Sequence, residues 1–156
     1  MEKIKLAVIG DPINHSISPE LHSYWFKIHN IKNAKYKKIK VPKVYLLSFL
    51  KNLSNEGYLG VNITLPLKEE AYHILKDIGH LCPLSKKAKA VNTIAVRKGE
   101  LYGYNTDVSG FYNSLIKNIP SDFDLKNKVI LVIGAGGAAR AVVTALSLKG
   151  INKVVI

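Results

Sequence analysis

The residues best suited to chemistry lie in a glycine-rich segment, VIGAGGAARA, from Val132 to Ala141. It carries the pattern G-x-G-x-x-A, with Gly134, Gly136 and Ala139, between an apolar run and a helical pattern. The first glycine allows a tight turn, the second lets backbone N–H groups approach a pyrophosphate, and the alanine lets the helix pack near the strand. Because a helix N-terminus also favours anions, the segment predicts a dinucleotide phosphate site. The alternative is a glycine-rich turn that serves packing only.

A second group of polar residues is the pair of hydroxyls in GDPINHSISPELH, residues 10–22. Ser16 and Ser18 directly follow a predicted strand and precede a predicted helix. Ser18 could be the N-cap of that helix, with Pro19 at its first position. The other interpretation is that both hydroxyls bind a ligand.

Five further polar residues allow both a structural and a functional interpretation. In VNITLPLK, Asn62 and Thr64 alternate with apolar residues. A polar face on a strand in a parallel sheet indicates either an edge strand or a cleft at the strand's end. Lys68 begins a helix, where the helix dipole disfavours a cation, so it is either a solvated lysine or a functional one. Asp107 could be the N-cap of the helix that follows it, and Asn92 could bind backbone groups.

Composition narrows the classes of partner. The net charge is +12, but Arg97 and Arg140 are the only arginines among 23 basic residues. Because base recognition favours arginine, a small anionic ligand is preferred over nucleic acid. His22 and His29 share a helix at seven-residue spacing, too far apart for one metal ion, and we predict no metal. The single cysteine, Cys82, excludes an internal disulfide and favours the cytoplasm. No apolar run reaches the roughly 18 residues that span a bilayer.

The elements that must position these residues follow from hydrophobic periodicity. Strands are predicted at 5–9, 34–41, 60–66, 129–134 and 153–156, with a hairpin at 91–104 that turns at Lys98–Gly99. Helices are predicted at 19–30, 42–53, 69–78, 108–118 and 137–149. In the first helix, Leu21, Tyr24, Trp25 and Ile28 recur on one face, which predicts an amphipathic helix. The segment 129–134 has the composition of a fully buried strand.

The alternation of strands and helices predicts an α/β fold in two parts. A residue that recognises the adenosine ribose is expected about 20 positions after the first glycine, where this sequence ends. We therefore expect a truncated chain whose cofactor half is incomplete. Its apolar residues from Val129 onward are expected to be exposed, and either mobile or engaged in self-association as a homodimer.

Five blocks together resemble a known family: GDPINHSISPELH, GVNITLPLK, AVNTI, GYNTDVSGF and GAGGAARA. The chain resembles the N-terminal part of the shikimate dehydrogenases, including the quinate/shikimate dehydrogenases, from residue 10 to about residue 141. The resemblance implies a three-layer α/β substrate-binding domain with a mainly parallel sheet at 1–107. A linking helix and loop follow at 108–127, and 128–156 begin a Rossmann-like NAD(P)-binding domain.

The resemblance also implies a role for each candidate residue. Ser16 and Ser18 would bind the substrate carboxylate, which is a second use for the hydroxyl that could cap the helix. Thr64, Asn92 and Asp107 would bind ring hydroxyls, and Lys68 and Asp107 would form the catalytic pair in contact with substrate. The pyrophosphate loop would comprise Gly134, Ala135, Gly136, Gly137 and Ala138.

The implied activity is the reversible NADP-dependent reduction of 3-dehydroshikimate to shikimate, in the pathway to aromatic amino acids. Two alternatives stay open: a quinate/shikimate dehydrogenase that also uses NAD, and a catalytically silent fragment that binds small anions. For the truncated chain we expect very weak turnover or none. Sequence alone does not show that Lys68 and Asp107, 39 positions apart, are in contact.

Overall fold

The computed structural model describes residues 4–120, 122–151 and 153–156. Its main feature is a six-stranded sheet in the order β2-β1-β3-β5-β6-β4, accompanied by a separate pair, β7-β8. The strands are β1 (Ile4–Gly10), β2 (Ala34–Lys40), β3 (Tyr58–Ile63), β4 (His80–Leu81), β5 (Thr93–Arg97), β6 (Glu100–Tyr104), β7 (Ile130–Leu131) and β8 (Val154–Val155).

Six α-helices surround the strands, and a short 3-10 helix at Lys43–Tyr45 precedes the second of them. They are α1 (Ser18–Ile28), α2 (Leu46–Asn52), α3 (Lys68–Ile78), α4 (Pro83–Ala88), α5 (Asp107–Asn118) and α6 (Gly137–Leu148). The predicted helix at 42–53 is therefore shorter, and α3 begins one residue early, at Lys68. The elements β4 and α4 were not predicted, because two and six residues are too few to show a period.

The sheet is mainly parallel, as expected. Strand β1 pairs in parallel with β2 and β3, and β4 pairs in parallel with β6. Strand β5 is antiparallel to both β3 and β6. The predicted hairpin at Lys98–Gly99 is confirmed, and both turn residues have left-handed backbones, with φ of 51° and 84°, as a tight two-residue turn requires.

The two faces of the sheet carry different cores. Alternate residues of β1 and β3 pack against α2 and α3, and the buried set there includes Ala7, Ile9, Val61, Ile63, Leu50 and Leu75. The opposite face of β1 carries Val8, which packs with Tyr36 of β2 and with the half-buried Phe26 of α1. This alternation follows from the two-residue period of strands and produces the three layers that the resemblance implied.

Helix α1 contacts the sheet with a different face from the predicted one. Leu21, Tyr24, Trp25 and Ile28 are all exposed. His22 and Phe26, one turn apart, face the sheet instead, and the His22 ring stacks on Tyr36 with centroids 3.9 Å apart. Because the His22 ring stacks on Tyr36, it lies on the inner face of α1. Hydrophobicity alone therefore predicted the wrong face of this helix.

Residues 130–151 and 153–155 form a small unit beside the main sheet. Helix α6 packs on α4 and α5 through small residues, among them Ala88, Val108, Ala141 and Ala145. The predicted strand at 129–134 is reduced to the pair Ile130–Leu131 and is not buried, since Leu131 is 67% and Ile133 93% exposed. The expectation of exposed apolar surface from Val129 onward is thus confirmed, and the expectation of burial is wrong. Among the described residues, no helix is both long and apolar enough to cross a membrane.

Candidate active site

The candidate residues meet at one end of the six-stranded sheet. The loop with Ser16 follows β1, Thr64 follows β3, and Asp107 begins just after β6. Asn92 immediately precedes β5, which runs in the opposite direction, so its start lies at this same end. Because β3 lies between β1 and β5, it is not an edge strand, and its polar residues indicate a cleft.

The central contact joins Lys68 and Asp107. The Lys68 ammonium donates to Asp107 Oδ2 at 2.8 Å, and the two side chains are 15% and 32% exposed. Lys68 is the first residue of α3 and Asp107 the first of α5. The carboxylate is favoured by its helix dipole, whereas the ammonium is opposed by its own. An ion pair at this distance offsets that opposition, so Lys68 is not simply a solvated lysine.

Asp107 can pair with Lys68 because a different residue caps α5. The side chain of Asn105 accepts from the Val108 N–H at 3.2 Å and donates to the Ala90 carbonyl at 3.0 Å. Asn105 is only 2% exposed, so both bonds are shielded from water. The prediction that Asp107 is the N-cap is therefore wrong.

The side chain of Asn92 uses its full hydrogen-bonding capacity. Its NH₂ group donates to Asp107 Oδ1 at 2.7 Å and to the Thr106 hydroxyl at 2.8 Å. Its carbonyl oxygen accepts from the Thr106 N–H and the Thr93 hydroxyl, both at 3.0 Å. Asn92 thus binds a backbone group, as one of the interpretations held, and also the Asp107 carboxylate.

A line of hydrogen bonds extends from Asn92 across the sheet. Asn62 donates to the Thr93 hydroxyl at 3.1 Å and accepts from the Tyr36 hydroxyl at 2.7 Å. Burial raises the pKa of Tyr36 to about 12, and the Ser18 hydroxyl partly opposes the shift.

The serine loop is held by its own hydroxyls. Ser16 Oγ donates to Ser18 Oγ at 3.1 Å and accepts from the Ser18 N–H at 3.3 Å. Ser18 is the first residue of α1, and no side-chain cap is present there, so the prediction of Ser18 as N-cap is wrong. Thr64 lies beside the last residue of β1, because a Cβ on Gly10 would lie 2.6 Å from Thr64 Cγ2.

One glycine of the glycine-rich segment, Gly137, lies against the stem of Lys68. A Cβ on Gly137 would be 2.9 Å from Lys68 Cβ, so glycine is needed there for close approach to the lysine stem. Arg140 of α6 pairs with Glu69 of α3 at 3.0 Å. Gly134 has φ of 121° and Gly136 has no other residue within 4 Å of its Cβ position, which leaves room for a phosphate at the start of α6. Ala135 and Ala138 are exposed.

Sequence reasoning missed several residues of this site. Asn105, Thr106 and Thr93 each bond directly to Asn92 or to the start of α5. The repeated Asn-Thr pairs in AVNT and GYNT were the available signal, because Asn and Thr commonly satisfy backbone groups at element ends. Within the described part of the chain, no group of three or more His, Cys, Asp or Glu residues could hold a metal ion.

Comparison with known proteins identifies the family to which this chain belongs. Residues 8–94, more than half of the chain, match the family profile of the shikimate dehydrogenase substrate binding domain. The chain belongs to this family, and the resemblance noted from its five blocks is confirmed.

Individual relatives agree with the family. The chain is 39% identical over 150 residues to the NADP(+) shikimate dehydrogenase of Lactococcus lactis, covering 96% of this chain and 50% of that protein. The structure of shikimate 5-dehydrogenase from Thermus thermophilus in complex with NADP(H) and shikimate superposes with a TM-score of 0.82 at 36% identity. That match covers 97% of this chain and 54% of the other.

The shikimate dehydrogenase 1 structure from Peptoclostridium difficile superposes similarly, with a TM-score of 0.83 at 36% identity over 97% of this chain and 55% of the other. The chain therefore spans about half the length of the relatives it matches.

Proposed function

We propose that this chain supplies the substrate site and the catalytic pair of an NADP-dependent shikimate dehydrogenase, which interconverts 3-dehydroshikimate and shikimate. The observation that carries the proposal is the 2.8 Å contact between Lys68 and Asp107, in a family whose relatives are named for this reaction. Gly137 packs on the same lysine, which supports a dinucleotide site beside the pair.

The pair performs the proton half of the reaction. Reduction of a ketone leaves negative charge on its oxygen, and the Lys68 ammonium can donate a proton or stabilise that charge. Asp107 orients the ammonium and holds its charge. NADPH, when bound, supplies the hydride. The residues fit that cofactor, because the start of α6 offers backbone N–H groups beside open space at Gly136.

The remaining residues bind and orient the substrate. Ser16 and Ser18 would donate to its carboxylate. Thr64 and Asn92 would bind its ring hydroxyls, and the Asp107 carboxylate would accept from one of them. Since both protons of the Asn92 amide are already used, a substrate hydroxyl would replace Thr106, whose side chain is exposed. The pyrophosphate would lie on Gly134, Ala135, Gly136, Gly137 and Ala138.

Binding and turnover of the Lys68→Ala variant test the proposal. Because the chain alone is expected to show very weak turnover or none, the variants are made in a version extended by a complete cofactor domain. Calorimetric titration should show that shikimate still binds to the variant, and steady-state assays with NADPH and 3-dehydroshikimate should show turnover about 100-fold lower than in the unmodified protein. Lys76→Ala, an exposed lysine on the same helix, is the matched control and should leave both unchanged. Shikimate binding without turnover in any variant would support the alternative of a small-anion module. If the unmodified protein shows neither shikimate binding nor turnover, the proposal is refuted.

Parallel titrations decide the finer specificity. Shikimate should displace quinate at equal concentrations, and NADPH should bind more tightly than NADH. Tighter binding of quinate together with NADH would favour the quinate/shikimate dehydrogenases instead.

We further propose the division into a substrate-binding domain at 1–107, a linking segment at 108–127 and a dinucleotide-binding part from 128. The separation of β7-β8 from the main sheet supports it. A cytoplasmic location is proposed on the single cysteine. Limited proteolysis should cut first between 118 and 129, and a first cut within 58–104 would contradict the division.

A homodimer is also proposed, on the exposed apolar face of α1. Sedimentation velocity should show a dimer that Trp25→Lys converts to a monomer. Lys27→Glu, which alters an exposed charge on the same helix, should leave the dimer intact. A monomer in the unmodified chain would contradict this proposal.

A further inference from the structure

The line of hydrogen bonds from Tyr36 to Asp107 has a defined direction, because one of its donors is a backbone N–H. The Thr106 N–H donates to Asn92 Oδ1 at 3.0 Å, and this fixes the orientation of the Asn92 amide. An amide oxygen only accepts, so the Thr93 hydroxyl, also 3.0 Å away, must donate to it.

The direction then propagates to the far end of the line. Having donated its proton, the Thr93 hydroxyl can only accept from Asn62, so the Asn62 NH₂ faces Thr93 and its oxygen faces Tyr36. The Tyr36 hydroxyl is left to donate. Each donor therefore points toward Asp107, where the line meets the carboxylate that also binds Lys68.

The orientation of the Asn92 amide matters because the reverse one is incompatible with Asp107. A flipped Asn92 would place its oxygen 2.7 Å from Asp107 Oδ1, so that two acceptors face each other. It would also turn its NH₂ group toward the Thr106 N–H, which needs an acceptor. Asn92 is 8% exposed, so water cannot readily satisfy these groups.

We propose that Thr93 and Asn62 are positioning residues, which act together with the Thr106 N–H to hold the Asn92 amide in the orientation that donates to Asp107 and so keep the carboxylate aimed at Lys68. The catalytic consequence depends on the proposed function. The orientation itself does not, because it can be measured in the chain without ligand.

A structural explanation competes with this proposal. Asn62 and Thr93 are direct partners in the antiparallel β3-β5 pair, and such polar pairs can simply stabilise a sheet. Two substitutions at one position separate the explanations. Thr93→Val keeps the branched shape and removes the hydroxyl, whereas Thr93→Ser keeps the hydroxyl and removes the methyl group.

The first experiment records the side-chain amide resonances of Asn92 by NMR in the ligand-free, isotope-labelled chain. We expect both Asn92 amide protons to shift in Thr93→Val and to return to the original positions in Thr93→Ser. Thr144→Val, which removes a hydroxyl bonded to the Arg140 carbonyl on α6, is the control and should not move them. Unchanged Asn92 resonances in folded Thr93→Val would overturn the proposal.

The second experiment measures steady-state kinetics with the same variants, each made in the version that is extended by a complete cofactor domain. Displacement of a catalytic group typically lowers kcat by about 10- to 100-fold, so we expect that loss in Thr93→Val with little change in KM, and recovery in Thr93→Ser. If the unmodified protein has no turnover, the proposed function fails, and the NMR result alone judges the positioning role. An unchanged kcat in Thr93→Val beside an active unmodified protein would refute that role.

If Thr93→Val fails to fold, Tyr36→Phe is used instead. It removes the first donor of the line, the Tyr36 hydroxyl, and preserves the aromatic ring. The Asn62 amide should then shift strongly and the Asn92 amide weakly. Shifts at neither amide would overturn the proposed line.

Discussion

Single residues in this site have their roles decided by close neighbours. Tyr36 is nearly buried, yet its hydroxyl has a partner in Asn62. Gly137 is the first residue of α6, and it lies so close to Lys68 that a methyl group at this position would clash. Both observations lead to predictions for single substitutions.

Stability at high pH should depend on Tyr36. Its pKa is raised from 10.0 to about 12 by burial, so the unfolded chain releases this proton before the folded one. The contribution of Tyr36 to the free energy of unfolding is fully present below pH 10. It is lost as pH rises through 12, by up to about 3 kcal/mol. Urea unfolding across this range should show a smaller loss for Tyr36→Phe than for the unmodified protein. Equal losses would contradict the assignment, since the lysines titrate in both.

A methyl group at position 137 should disturb the substrate site. Gly137→Ala would bring Cβ to 2.9 Å from Lys68 Cβ, so the lysine must move, and affinity for shikimate should fall by about tenfold. Gly136→Ala is the matched control, because open space surrounds that position, and shikimate affinity should stay within about twofold. Calorimetric titration measures both. Equal effects of the two variants would refute the close contact.

Elements position the site through their ends rather than through their lengths. Helices α3 and α5 each begin at a residue of the candidate site, Lys68 or Asp107, and beside them strand β3 ends and strand β5 begins. Asn105 joins α5 to the segment before β5 by binding Ala90 and Val108. That side chain therefore sets where Asp107 begins its helix.

Loss of the Asn105 side chain should destabilise the protein more than loss of an exposed asparagine. Asn105→Ala leaves a buried N–H and a buried carbonyl without these partners, and should lower the free energy of unfolding by about 2 to 3 kcal/mol. Asn118→Ala, at the exposed end of α5, should cost less than about 0.5 kcal/mol. Urea denaturation compares them, and similar values would argue against the cap.

At the scale of the whole molecule, burial is unevenly distributed. The fully buried residues of the main core lie between the six-stranded sheet and helices α2 and α3, whereas Leu131 of β7, Val155 of β8 and Ile133 just after β7 are exposed. Resistance to local opening follows buried apolar contact. The main sheet should therefore protect its amides from exchange far longer than the small pair does.

Two isoleucines test this difference: Ile63 is the last residue of β3, and Ile133 lies just after β7. Ile63→Ala, at 2% exposure, should lower the free energy of unfolding by about 2 to 5 kcal/mol. Ile133→Ala, at 93% exposure, should change it by less than about 0.5 kcal/mol. A large loss in Ile133→Ala would show that this surface is covered in solution, and sedimentation of the same sample would then identify self-association.

Local patterns in the sequence determined much of this protein. The alternation in β1 and β3, the Lys98–Gly99 turn and the strand-loop-helix setting of Gly134 each depend on neighbours a few residues away, and the fold class followed from them. The five sequence blocks determined the family.

Tertiary structure decided which partners the polar residues found. Asn105 rather than Asp107 caps α5, His22 rather than Trp25 faces the sheet, and Tyr36 joins a line that ends at Asp107. A cap or an inner helix face can be filled by several nearby residues with similar propensity. The choice among them depends on contacts between segments tens of residues apart, and hydrophobic periodicity carries no information about those contacts.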